Sequence, residues 1–154
     1  MTDLSLMNQQ LDALLFNEQN VTANLSNASA LLMQTLKDVN WTGFYLYQED
    51  EDELALGPFQ GKVACMHIKN GAGVCGTAFA NNQVTRVSNV HEFPGHIACD
   101  SDSNAEIVVP LITEDGKKIG VMDIDSKVFD RFSEDEAKEL SEFARVLMNH
   151  LDVA

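Results

Sequence analysis

Hydrophobic residues recur with a helical period up to Asn40, with a strand period from Trp41, and with a helical period again beyond Ser133. That double switch restricts the fold more than any other feature of the chain. Leu4, Met7, Leu11, Leu14 and Leu15 make one apolar stripe, and Leu25, Ala28, Leu32, Leu36 and Val39 a second, so two amphipathic helices open the chain. The second is rich in Asn, Ser and Thr, which lowers its intrinsic propensity, so packing must hold it. Trp41-Thr42-Gly43-Phe44-Tyr45-Leu46-Tyr47 is aromatic and strand-like, and the acidic run from Glu49 to Glu53 reads as a solvated hairpin tip. Short strands are expected over 54–56 and 63–68, parted by a turn at Gly57-Pro58-Phe59-Gln60-Gly61. Gly71 to Gly76 leads into a short helix reaching Ala80, and Val84 to Val87 forms another strand.

After a long polar loop, residues 106–112 and 118–125 form a hairpin across Glu114-Asp115-Gly116. Ser133 with Glu136 is a capping box, and Leu140, Phe143, Leu147 and Leu151 give the final helix its apolar face. The expectation is an α+β domain spanning 1–154, with helices against an antiparallel sheet of about six strands. Such a sheet keeps its second face for loops and a ligand.

Charge narrows the partners. Twenty-four acidic residues against 10 Lys and Arg leave a net charge of −14, which repels nucleic acid and anionic membranes. No apolar run approaches membrane-spanning length, and the first residues lack a basic segment followed by an apolar one. The cytoplasm is the expected compartment, where three cysteines would be kept reduced between turnovers. An odd cysteine count also argues against a disulfide framework.

Cys99 lies in Phe93-Pro94-Gly95-His96-Ile97-Ala98-Cys99-Asp100-Ser101-Asp102-Ser103-Asn104-Ala105-Glu106, a stretch too rich in loop formers for regular structure. A thiol there is placed for chemistry: its thiolate can attack, and a neighbouring acid can deliver a proton. A second thiol would resolve the oxidised product as a disulfide. Cys65 and Cys75 are available for that, although composition alone favours reading them as a core strand residue and a helix-packing residue. His96, His67 and His91 add soft ligands to the cysteines, but no C-x-x-C pair or zinc-module spacing appears, so no metal is expected. Gly71-x-Gly73-x-x-Gly76 lacks the βαβ setting of a dinucleotide site and reads as a tight turn into a helix.

Asp123 and Asp125 stand two apart in a strand, so their carboxylates share a face. Like charges side by side raise the pKa of at least one unless a cation sits between them. Glu106, the first polar residue before its apolar run, can reach the same pocket. Three acids would suit a ligand bearing an ammonium group and a polar oxygen. Trp41 and Tyr45 also share a face, as an apolar wall for that ligand or as plain core.

Five motifs in order complete a resemblance: Trp41-Thr42-Gly43-Phe44-Tyr45-Leu46, Gly57-Pro58-Phe59-Gln60-Gly61-Lys62, Gly73-Val74-Cys75-Gly76, Gly95-His96-Ile97-Ala98-Cys99-Asp100 and Asp123-Ile124-Asp125-Ser126. Together they resemble the free methionine-R-sulfoxide reductase family, built on a GAF domain, over essentially the whole chain. The resemblance implies a six-stranded antiparallel sheet flanked by helices, a homodimer, and reduction of free L-methionine (R)-S-oxide without a cofactor, thioredoxin serving as electron donor. It further implies that Cys99 is the nucleophile and Cys65 the resolving thiol that joins it in a disulfide, with Cys75 auxiliary. Glu106, Asp123 and Asp125 match the acids that bind the substrate, and Trp41 and Tyr45 the wall around its S-methyl group. The competing expectation is a GAF ligand-binding or sensor module with incidental cysteines, marked by fusion to an output domain for which 154 residues leave no room.

Overall fold

A computed structural model describes residues 4–97 and 102–151. Cys99, on which the nucleophile assignment rests, lies outside the described residues. The elements follow as α1 (Leu6–Leu14), α2 (Val21–Thr35), β1 (Trp41–Gln48), β2 (Glu53–Gln60), β3 (His67–Lys69), α3 (Gly73–Asn81), β4 (Thr85–Val87), a single 3₁₀ turn (Val90–Glu92), β5 (Ala105–Ile112), β6 (Lys118–Ser126) and α4 (Glu134–Asn149). The six strands form one sheet in the order β3-β2-β1-β6-β5-β4, every neighbouring pair antiparallel. The α+β expectation therefore holds, with β1 and β6 at the centre.

α1, α2 and α4 start where side chains can satisfy their free amides, whereas α3 starts after Ala72 without a side-chain cap. Asn20 accepts from Ala23 N at 2.9 Å to open α2. Ser133 and Glu136 make the expected reciprocal capping box at α4, an arrangement worth about 0.5–2 kcal/mol. The apolar stripes of α1, α2 and α4 then close over one face of the sheet, against Phe44, Ile107, Val109, Leu111, Met122 and Ile124. His150, at the end of α4, places Nε2 2.7 Å from Asp12 Oδ1 and so ties that helix to α1.

Several details differ from the expectation: α2 ends at Thr35, so that Leu36 and Val39 pack on the core from beyond it, and Leu14 of the first stripe is exposed. The Gly57-Pro58 stretch is not a turn: β2 runs straight through it to Gln60. The β1–β2 register shifts between Gly43 and Tyr45, so the extra residue is absorbed as a bulge. β3 pairs only with residues 53–55 of β2, which leaves Pro58 on an open edge where its missing N–H costs no ladder bond. In consequence the third strand begins at His67, and residues 61–66 are irregular rather than extended.

Candidate active site

The strand period builds the site. In β1, β5 and β6 every second residue faces away from the three packed helices. Trp41 and Tyr45 come from β1, Glu106 and Val108 from β5, and Val121, Asp123 and Asp125 from β6. The register places Asp125 opposite both Trp41 and Glu106, and Asp123 opposite both Gly43 and Val108. The short helix α3 covers this face and inserts Val74, Cys75, Ala78 and Phe79. A cavity between them is lined by Trp41, Tyr45, Cys75, Glu106, Asp123 and Asp125 among others. All the sequence-derived candidates within the described residues, except Cys65, thus meet at one place.

Burial makes the acids unusual. Glu106, Asp123 and Asp125 are only 8%, 5% and 9% exposed. Carboxylates are rarely so enclosed unless something compensates their charge. Asp123 is pushed well above the usual carboxylate range, first by desolvation and then by the charges of Asp125 and Glu106. One of its oxygens, Oδ1, is buried with no hydrogen-bond partner among the described residues. Cys75 Sγ donates to Glu106 Oε2 at 3.7 Å. Desolvation and the same three acids push the Cys75 thiol up as well, so it stands protonated and is a donor, not a nucleophile, in this arrangement. Cys75, Glu106 and Asp123 hold their sulfur and oxygen atoms within 4.8 Å of one another, close enough to share a metal ion.

The aromatic wall is a stack. Trp41 lies 5.1 Å from Phe59 and 5.9 Å from Tyr45 between ring centroids, both nearly parallel. Gly43 makes room for the indole, since a Cβ there would fall 2.8 Å from Trp41 Cη2. Beyond the stack the irregular stretch 61–66 contributes Ala64 to the lining of the cavity. Cys65 sits half-buried in that stretch and is disulfide-bonded, while Cys75 is a free, buried thiol. Ile97 closes another side, packed on Gly73 so tightly that a Cβ would come within 3.2 Å of it. The cavity offers about 40 Å³ to water-sized molecules, room for a few waters.

Some participants escaped the sequence. Phe59, which stacks on Trp41, lies in a segment with the composition of a turn, and Ile97 and Ser103 line the cavity from a loop with no period to follow. His67 pairs with Glu53 at 2.7 Å, His91 Nε2 meets Asn104 Oδ1 at 2.9 Å, and His96, its ring 6.1 Å from that of His91, lines the cavity. Among the described residues no helix is long and apolar enough to cross a membrane.

Comparison with known proteins adds independent findings. Residues 22–152 match the GAF domain family. The free methionine-R-sulfoxide reductase of Escherichia coli (strain K12) is 51% identical over 141 residues, spanning 92% of this chain and 84% of that protein. The free methionine-R-sulfoxide reductase of Saccharomyces cerevisiae is 47% identical over 133 residues, 83% of this chain and 74% of that protein. A free methionine-R-sulfoxide reductase from Neisseria meningitidis, solved in complex with its substrate, superposes with a TM-score of 0.90 at 42% identity, covering 94% of this chain and 85% of that one.

Proposed function

This chain belongs to the free methionine-R-sulfoxide reductases of the GAF family and reduces free methionine (R)-S-oxide, and from that premise we propose that it does so with thiols and carboxyl groups alone. The observation that carries the reading is the group of three buried carboxyls on facing strands beside the Trp41–Tyr45 wall. A site that gathers three acids away from water needs a cation, and the ammonium group of a free amino acid supplies one. A methionine residue inside a peptide has no such charge, so the same feature selects the free substrate.

In the proposed reaction the Cys99 thiolate attacks the sulfoxide sulfur. Asp123 is the acid of choice for protonating the sulfoxide oxygen, because its surroundings keep it protonated where an ordinary carboxyl would be ionised. The sulfoxide gives up its oxygen and is reduced to the thioether, while Cys99 is oxidised to a sulfenic acid. Cys65 condenses with it to a disulfide and water, and a dithiol protein of the thioredoxin type returns both thiols. The disulfide at Cys65 and the free, protonated Cys75 support this division of labour, with Cys75 as an auxiliary donor to Glu106. Trp41 and Tyr45 enclose the S-methyl group. We place the enzyme in the reducing cytoplasm, as a homodimer.

The test is a coupled assay with NADPH, thioredoxin reductase and thioredoxin, offered free R, free S and peptide-bound methionine sulfoxide separately. Only the free R form is expected to sustain NADPH oxidation. Equal rates on the peptide-bound form would overturn the role given to the three acids. Cys65→Ser should release about one methionine per subunit and then stop, as expected when the oxidised nucleophile has no resolving partner.

A further inference from the structure

The two wall rings each carry a polar atom that a wall does not need. Trp41 Nε1 donates to the Lys62 carbonyl at 3.0 Å, and the Tyr45 hydroxyl donates to the Cys65 carbonyl at 3.0 Å. Both acceptors belong to the irregular segment 61–66, whose carbonyls must find donors outside a regular ladder. Both donors are rooted in β1, a central strand held between β2 and β6. The rings are themselves immobilised, Trp41 between Phe59 and Tyr45 in the stack. Gly61, at φ +129°, allows the chain to cross the indole at this point, because a Cβ would fall 2.7 Å from Trp41 Cδ1.

We propose that Trp41 and Tyr45 are positioning residues for the resolving thiol: their N–H and O–H fix the backbone of residues 62–65, so that Cys65 Sγ is held where it meets the oxidised nucleophile. The inference rests on the roles given above to Cys65 and Cys99. The step it serves is self-contained. The Cys65 thiolate attacks the sulfenic sulfur of Cys99, the S–S bond forms, the S–O bond breaks, and the departing hydroxide takes the proton Cys65 gave up and leaves as water. No outside reductant enters until the disulfide is complete.

The hydroxyl of Tyr45 is suited to the task. Burial, and the facing Asp123, Cys75, Asp125 and Glu106, push its pKa up, so the phenol keeps its proton and remains a donor. It has one proton to give. While that proton is committed to the Cys65 carbonyl it cannot protonate the sulfoxide, which leaves that role with the carboxyl groups.

The experiment mixes reduced enzyme with one equivalent of free methionine-R-sulfoxide in the presence of dimedone, which captures sulfenic acids. Mass spectrometry then gives the ratio of dimedone adduct at Cys99 to methionine released. Dividing by methionine released cancels any change in substrate binding. Wild type should show little adduct, because Cys65 outruns the trap, and Cys65→Ser should approach one adduct per methionine. Tyr45→Phe keeps the ring and removes only the hydroxyl; its ratio should rise about fivefold over wild type, the factor one hydrogen bond is worth. Trp41→Phe removes the other donor and carries the test by itself if Tyr45→Phe does not fold. A raised ratio in either variant supports the inference. Wild-type ratios in both variants, with a full rise in Cys65→Ser, would overturn it alone. No rise in Cys65→Ser would instead overturn the assignment of Cys65, and the inference with it.

Discussion

The two faces of the central sheet are built from the same three strands and have opposite chemistry. Toward α1, α2 and α4, β1, β5 and β6 present Phe44, Ile107, Val109, Met122 and Ile124, all carbon and sulfur. One residue along each strand, toward α3, they present Trp41, Tyr45, Glu106, Asp123 and Asp125. The first face is apolar apart from the hydroxyls of Thr42 and Ser126, which donate to the Ser29 and Asp38 carbonyls, and that is what stability asks of a core. The second brings three carboxyls together out of water, which no argument from stability would favour. A strand period of two thus lets one piece of backbone anchor the fold with its even residues in β1 and carry chemistry with its odd ones. The contrast teaches that loss of function and loss of stability should separate by parity along these strands.

The sharpest separation is expected at the reacting sulfur. Cys99→Ser should abolish reduction of free methionine-R-sulfoxide while leaving the melting temperature, measured under reducing conditions, close to that of reduced wild type. Full turnover by this variant in the coupled assay would remove Cys99 from the mechanism. On the opposite face, Phe44→Ala should cost about 3–5 kcal/mol, the usual range for emptying a packed aromatic site. Urea melts measure that loss directly. The preference for free R over free S substrate should survive in whatever fraction folds, because Phe44 points away from the cavity. A variant that kept its stability but lost its stereochemical preference would break the division between faces.

Parity is also why so much of the site was legible. Asp123 and Asp125, and Trp41 and Tyr45, declare a shared face by spacing alone, and Glu106 marks the start of its strand by being the polar residue before an apolar run. What escaped was set by tertiary context. Gly57-Pro58 has the composition of a turn, and nothing local announces that β3 stops short and leaves an edge where proline is harmless. Residues 63–66 have strand-like composition, but their backbone is held by donors from β1, far away in sequence. Cys75 could be read as packing or as chemistry. Its contact with Glu106 and its depth decide for a protonated thiol, and neither is a property of the sequence around it.

The mildest prediction tests the cost of the acidic face itself. Asp123 is held protonated in the folded enzyme by desolvation, then by Asp125 and Glu106, whereas in the unfolded chain an Asp titrates near pH ~3.9. Between those values the folded state binds the extra proton. The stability this confers is complete below the unfolded pKa and is lost as pH rises through the folded one. Asp123→Asn removes the titration and keeps the shape. Its stability should therefore decline less than that of wild type as pH rises above the unfolded value, and should exceed that of wild type at neutral pH. Reduction of free methionine-R-sulfoxide should fall at the same time, so that one substitution moves stability and activity in opposite directions. Urea melts at several pH values give the first quantity and the coupled assay the second. Parallel stability profiles would show that Asp123 titrates as an ordinary carboxyl, and the two faces would then differ in composition but not in energetic cost.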